Sequence, residues 1–225
     1  MKIIDHILAG VNLPKDLKCL SLDELQLLCN AIRETIIEVL SKNPGHFSSS
    51  LGTVELAVGI HHVFNTPYDK LIWDVGHQAY AHKVLTGRQA RFNSIRQKGG
   101  LSGFPKMSES EFDSFGTGHS STSLSAILGM ATAAKLDNKL SQHIAVIGDG
   151  ALTGGMAFEA LNNAASSGAN VLIIINDNNM SIDENVGALQ EHLNAISTKK
   201  ITLFENLNIP YYGVVKGNSI NEVIA

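Results

Sequence analysis

Two short apolar runs with polar ends constrain this chain more than any other feature. Ile144-Ala-Val-Ile147 leads into Gly148-Asp-Gly-Ala-Leu-Thr-Gly-Gly155, and Val171-Leu-Ile-Ile-Ile175 leads into Asn176-Asp-Asn-Asn-Met180. Apolar runs this short, closed by turn residues, read as buried strands of a parallel sheet. The segment between them has helical character from about Gly155. A strand, a helix and a second strand put both polar loops at one carboxyl edge of the sheet, where open α/β folds bind their ligands. The predicted fold class is therefore α/β, with a mostly parallel sheet and helices on both faces.

Asp149 and Asn178 each bring an oxygen ligand to that edge. Hard oxygens suit Mg2+, which takes near-octahedral coordination and commonly shares it with phosphate. Gly148 and Gly150 let a ligand approach the backbone closely, and the helix starting near Gly155 points free N–H groups at an anion. The pattern predicts a metal-bridged diphosphate site. A Gly-Asp-Gly by itself is an ordinary turn, and the matching Asn-Asp-Asn after the next strand is what makes it a site.

Composition excludes several other functions. The 225 residues carry a net charge of −4 with no Lys/Arg block, so no nucleic-acid partner is expected. The N-terminus lacks the apolar core of a signal peptide and no run approaches 18 apolar residues, so no membrane association is expected and the expected location is cytoplasmic. Cys19 and Cys29 have neither metal nor redox spacing and read as small core or surface residues.

In order along the chain, residues 1–20 form an arm. Ser21-Leu-Asp-Glu24 is a capping box, and Leu22, Leu25, Leu28, Ile32, Ile36, Ile37 and Leu40 follow at helical spacing. Asn43–Gly52 is a polar loop running into a helix over Thr53–Phe64; its His46 could bind an anion or simply cap the helix. Lys70–Val75 is a strand, and His77 stands at the corner after it, a third place where ligands gather. His61, His62 and His82 have no such placement and read as structural. Gln97–Lys106 is an ordered loop over the site. Gly116–Ser123 is a Gly/Ser/Thr corner, either a cap or a ligand contact, before a helix whose small residues allow close packing on the sheet. Ser181–Asn194 is a loop and short helix, and Tyr211-Tyr-Gly-Val-Val215 is a later strand.

The Gly-Asp-Gly and Asn-rich strand ends resemble the thiamine diphosphate motif of the transketolase superfamily. Gly148–Asn162 and Asn176–Leu189 are similar, within it, to the 1-deoxy-D-xylulose-5-phosphate synthase family, as are Gly45-His46-Phe47 and Gly76-His77-Gln-Ala-Tyr80. The resemblance implies thiamine diphosphate and Mg2+ as cofactors. It implies Asp149, Asn178 and the Met180 carbonyl as metal ligands, and His77, Gly118, His119, Ser120, Gly150 and Ala151 at the cofactor. His46 would serve the reacting centre. The implied reaction condenses pyruvate with D-glyceraldehyde 3-phosphate with loss of carbon dioxide, feeding isoprenoid, thiamine and pyridoxal synthesis. The implied assembly is a homodimer.

Residues 21–225 would then be the diphosphate domain, without its last strand and the downstream pyrimidine and C-terminal domains, so that this chain alone is expected to be inactive. The sequence departs from the family at Ala81, Asn179 and Lys216-Gly-Asn218, and is short between Asn194 and Tyr211. Two other readings are the diphosphate subunit of a split transketolase-like enzyme and a non-catalytic cofactor-binding module. A dinucleotide-binding domain is disfavoured, because no Gly-x-Gly-x-x-Gly with an acidic residue about 20 positions later follows a first strand.

Overall fold

The computed structural model describes residues 7–178, 186–198 and 201–225, which divide into two compact units. A helical unit comprises the chain to Tyr68, Gly76–Gly118 and Lys216–Ala225, and a sheet unit comprises Asp69–Val75 and His119–Val215. In chain order the α-helices and strands among the described residues are α1 (Leu22–Leu40), α2 (Phe47–Leu51), α3 (Val54–Val63), β1 (Lys70–Trp73), α4 (Tyr80–Lys83), α5 (Ser123–Leu136), β2 (His143–Gly148), α6 (Asp149–Leu152), α7 (Gly155–Ser167), β3 (Leu172–Asn176), α8 (Ala188–Asn194), α9 (Leu203–Asn206) and α10 (Ile220–Ile224), and a short 3-10 helix spans Pro14–Cys19 in the expected arm. Among the described residues no helix is long and apolar enough to cross a membrane.

In the helical unit, α1 begins at the expected capping box. The Glu24 N–H donates to Ser21 Oγ while Glu24 Oε2 accepts the Ser21 N–H at 2.8 Å. Its helical spacing buries Leu25, Leu28, Ile32 and Ile36, whereas Leu22 and Ile37 stay exposed at the edges of the stripe. Helix α1 packs on α3, which is buried at eight of its ten positions. Helix α10 crosses α3 so closely that a Cβ on Gly59 would stand 2.5 Å from Val223 Cγ1. Glu55 on α3 is buried and ion-paired with Arg33 on α1, so its charge is compensated where water cannot reach it. The expected loop Asn43–Gly52 is only partly a loop, since five of its residues form α2. Cys29 is buried, with its thiol pushed up to about 12, while Cys19 is exposed, and both are free.

The same unit buries a charged cluster that sequence periodicity does not reveal. Arg88 makes a two-pronged contact with Asp113, Nη1 to Oδ2 at 2.6 Å and Nη2 to Oδ1 at 2.9 Å, and Lys83 Nζ donates to Glu109 Oε2 at 2.7 Å. Two cations therefore face two carboxylates. His82 Nε2 lies 2.9 Å from Asp113 Oδ1, His82 Nδ1 lies 2.8 Å from His61 Nε2, and His61 Nδ1 lies 2.9 Å from Thr66 Oγ1. Asp113 can only accept, so a neutral His82 donates from Nε2 and accepts at Nδ1 from His61, which in turn accepts from the Thr66 hydroxyl. Burial lowers the affinity of both imidazoles for a further proton, most strongly at His61.

This arrangement has a pH consequence. A His whose folded pKa is depressed stabilises fully above its unfolded value near 6.5, and that stability is lost as pH falls towards the folded value. Urea unfolding should therefore show stability falling below pH 6.5, by up to about 1.4 kcal/mol per pH unit for each imidazole. In His61→Gln the slope should drop by one imidazole's share. Asp113, held well below the ordinary carboxylate range by His82 and Arg88 despite its burial, contributes nothing to the slope between pH 5 and 7. Equal slopes in the two proteins would contradict the neutral-histidine assignment.

In the sheet unit the order is β1-β2-β3 and every pairing is parallel, as an α/β fold requires. Helix α5 packs on β1 and β2 and α7 packs on α5. Of the small residues on α5, Ala131 and Ala134 face inward, whereas Gly129 and Ala133 are exposed and take no part in close packing. Strand β2 is buried as expected. Strand β3 is not: Leu172 is 44% exposed and Ile173–Ile175 are half-buried, because β3 pairs on one side only among the described residues. The expected strand Tyr211–Val215 is also absent, and Tyr212, Val214 and Val215 are exposed. Propensity favours an extended run, but a strand also needs ladder bonds to a neighbour, and this segment makes none with β1 or β3. Instead Tyr211 stacks on Phe204 with ring centroids 5.8 Å apart.

Candidate functional site

The carboxyl edge of the sheet gathers several of the polar residues singled out above. Gly148 pairs with Asn176 in the β2–β3 register, so Asp149 and Asn178 follow the ends of adjacent parallel strands. Asp149 opens α6 and is only 3% exposed, whereas Asp177 and Asn178 are exposed. Gly148 is extended and caps α6, leaving Gly150 and Ala151 in its first turn, where N–H groups have no intrahelical partner. Met180, expected as a third metal ligand, and Asn179 lie outside the described residues. Among the described residues no three His, Cys, Asp or Glu side chains converge as a metal site. The donor set here is one carboxylate and one amide oxygen, which is hard-ligand chemistry suited to Mg2+ and not to zinc.

Asp74, just past β1, is not among the expected site residues. Its Oδ1 accepts the Ser121 N–H at 2.8 Å and its Oδ2 the Ser123 N–H at 3.0 Å, fastening the corner that carries His119 and Ser120. Ser121 has φ +68° and donates its hydroxyl to the Ala151 carbonyl at 2.7 Å. Gly154 is obligatory beside it, since a Cβ there would run into Ser121 Oγ. The ends of β1 and β2 and the 119–123 corner are thus tied together, with His119 and Ser120 left exposed. A signal for Asp74 is present in the sequence: an acidic residue ends the apolar run Leu71-Ile-Trp73, much as Asp149 follows its own.

The helical unit brings His46 and His77 together. Their ring centroids are 5.2 Å apart in an edge-on arrangement, and the Phe104 ring lies 6.1 Å from that of His46. Ser50 donates to the His77 carbonyl at 3.1 Å and Thr53 to the Gln78 carbonyl at 2.8 Å, joining α2 and the start of α3 to the turn that carries His77. Asn43 Nδ2 donates to the Asn93 carbonyl at 2.7 Å, fixing the chain ahead of His46. Gly45 packs on Tyr80, whose hydroxyl would stand 2.9 Å from a Cβ. Gly76 has φ +85° and no room for a side chain, because a Cβ there would collide with both Pro105 Cδ and Thr117 Oγ1. Gly118, which ends this unit, has φ +138° and open space around it.

Arg96, which no sequence signal marks, stands beside this pair. Its Nη1 is 3.5 Å from His46 Nδ1 and its guanidinium lies 5.8 Å from the centre of the Phe104 ring. Burial, and after it the charge of Arg96, holds the His46 imidazole below its ordinary pKa. A neutral imidazole near pH 7 can both give and take a proton, which is the chemistry of a general acid or base. By contrast His62 Nδ1 meets the Leu17 carbonyl at 2.9 Å, and His61 and His82 belong to the buried cluster, in keeping with structural roles.

The family model described as 1-deoxy-D-xylulose-5-phosphate synthase matches residues 8–202. Among curated relatives, a 1-deoxy-D-xylulose-5-phosphate synthase of Parabacteroides distasonis is 46% identical over 98% of this chain and 42% of its own length. Those of Porphyromonas gingivalis and Syntrophotalea carbinolica are 53% identical over 98% of this chain and 34% of the relative, and 55% identical over 88% and 31%. The chain spans less than half the length of these relatives. The match to the first covers 263 aligned positions, more than the 225 residues here, so that relative holds residues inside the matched span that this chain lacks.

Proposed function

Because this chain belongs to the 1-deoxy-D-xylulose-5-phosphate synthase family, we propose that it supplies the diphosphate-binding part of an enzyme that condenses pyruvate with D-glyceraldehyde 3-phosphate, with loss of carbon dioxide. The observation that carries this reading is the Gly148–Asn176 pairing, with a buried Asp149 after one strand and Asn178 after its neighbour. In this reading Asp149, Asn178 and the Met180 carbonyl hold Mg2+. The N–H groups of Gly150 and Ala151 meet the diphosphate, and His77, Gly118, His119 and Ser120 line the cofactor. Thiamine diphosphate, when bound, supplies the carbanion stabilisation that decarboxylation needs. The protein's own contribution is binding, orientation and proton transfer. His46, kept neutral, exchanges a proton with a substrate oxygen through Nε2, the ring nitrogen that does not face Arg96.

The remaining parts of the reading follow the family. The cofactor's pyrimidine ring and the substrate phosphate are met by a further domain, in cis or in trans, in a homodimeric cytoplasmic enzyme. The test separates binding from chemistry. In the complete enzyme, His46→Ala should lower turnover by about 10²–10⁴-fold, the range for a lost general acid or base, with cofactor affinity nearly intact. A large fall in cofactor affinity at normal turnover would reverse the assignment.

A further inference from the structure

The segment Ser102–Lys106 carries Phe104 to His46, and it is held at both ends by the carboxylates of the buried cluster. Glu109 Oε1 accepts the Ser102 N–H at 2.6 Å while its Oε2 takes Lys83 Nζ. Asp113 Oδ2 accepts the Lys106 N–H at 2.7 Å while the same carboxylate takes Arg88 and His82. Between these two anchors Gly103 lets Arg96 pass, since a Cβ there would stand 2.7 Å from Arg96 Nη1. Pro105 closes over Gly76, the residue before His77, and its carbonyl accepts the Thr117 N–H at 3.3 Å.

We propose that Glu109 and Asp113 are positioning residues: a two-point carboxylate clamp that fixes Ser102–Lys106 and thereby seats Phe104 and Arg96 against His46. The inference rests on reading His46 as the residue of the reacting centre. Glu109 commits one oxygen to Lys83 and the other to the Ser102 N–H, while Asp113 Oδ2 takes both Arg88 and the Lys106 N–H and its Oδ1 takes Arg88 and His82, so the charges that lock α4 and the Thr86–Arg88 turn also set the loop. Lys83 is fully buried and its ammonium is ion-paired with Glu109; Arg88 is fixed in the same way by Asp113. Rigid partners of this kind transmit position better than exposed ones, because none of them can swing into water. Phe104 covers one side of His46, and Arg96 adds a cation at Nδ1. Together they give the imidazole both its orientation and its reduced basicity.

The clamp makes predictions that ordinary loss of packing does not. In Glu109→Gln, an isosteric change at a residue that keeps some solvent contact, backbone amide exchange at Ser102 measured by NMR on the whole chain should accelerate by about tenfold or more. The His46 ring, followed by its Cε1–H resonance through a pH titration, should rise towards its ordinary pKa. Phe104→Ala leaves every buried charge in place and should raise the His46 pKa in the same way. If Glu109→Gln keeps its fold but leaves Ser102 exchange or the His46 titration unchanged, the clamp is wrong. An unchanged His46 titration in Phe104→Ala overturns it equally, whatever happens to the first variant. Neither readout involves cofactor or substrate, so failure here leaves the His46 reading to its own turnover test.

Discussion

Asp149→Ala is expected to abolish metal-dependent binding of thiamine diphosphate. Asp149 is the one carboxylate in the proposed ligand set, it is buried, and it opens α6 at the end of β2. The remaining amide and carbonyl oxygens carry no formal charge, so the protein would offer Mg2+ only neutral ligands beside the diphosphate, in exchange for tightly held water. Loss of even an outer-shell partner commonly costs about 10–100-fold in metal affinity, so loss of this ligand should cost more than about 100-fold. Calorimetry of the chain with thiamine diphosphate, with and without Mg2+, gives the answer. Wild-type binding should depend on Mg2+, and the variant should show none at concentrations that saturate the wild type. Equal binding by both would remove Asp149 from the metal site. Loss of secondary structure in the variant is checked by circular dichroism, and Asp149→Asn, which keeps the shape and removes the charge, should weaken Mg2+ dependence in the same direction.

The second large effect concerns stability. Asp113→Ala takes one carboxylate from the buried cluster, and with it the acceptor shared by the Arg88 guanidinium, the His82 Nε2–H and the Lys106 N–H, while Arg88 keeps Thr86 Oγ1 and the more distant Glu109. Removing one partner of a buried pair typically costs about 3–5 kcal/mol, because the desolvated charge that remains is uncompensated. Against a total stability of about 5–15 kcal/mol, that is a large fraction, and the urea midpoint should fall accordingly. An exposed ion pair such as Lys42–Glu38 gives the contrast: Glu38→Ala should change stability by less than about 1 kcal/mol. A loss as small as that in Asp113→Ala would mean that water reaches the cluster.

The sequence by itself determined the parts of this protein that repeat a local rule. The apolar runs ending at Ile147 and Ile175 read as parallel strands because branched apolar residues without alternation have no wet face to offer, and β1, β2 and β3 form such a sheet. Ser21 and Glu24 marked the start of α1 because a capping box is a contact between residues three apart. The Gly-Asp-Gly and Asn-Asp-Asn ends were legible because each closes its own strand. What only the tertiary structure decided depends on partners distant in the chain. Tyr211–Val215 has the composition of a strand and forms none, because a strand is made by pairing with a neighbour and not by propensity alone. Val171–Ile175 is apolar enough for a buried centre yet lies half-exposed, since burial depends on what stands beside it. Asp74 reaches across 47 positions to the Ser121 N–H, and Arg96 reaches His46 across 50. Asp113 stands 25 and 31 positions from Arg88 and His82, and His61 stands 21 from His82, too far for any period to join them, and their charges are compatible with burial only because folding brings cation, carboxylate and neutral imidazole within hydrogen-bonding distance.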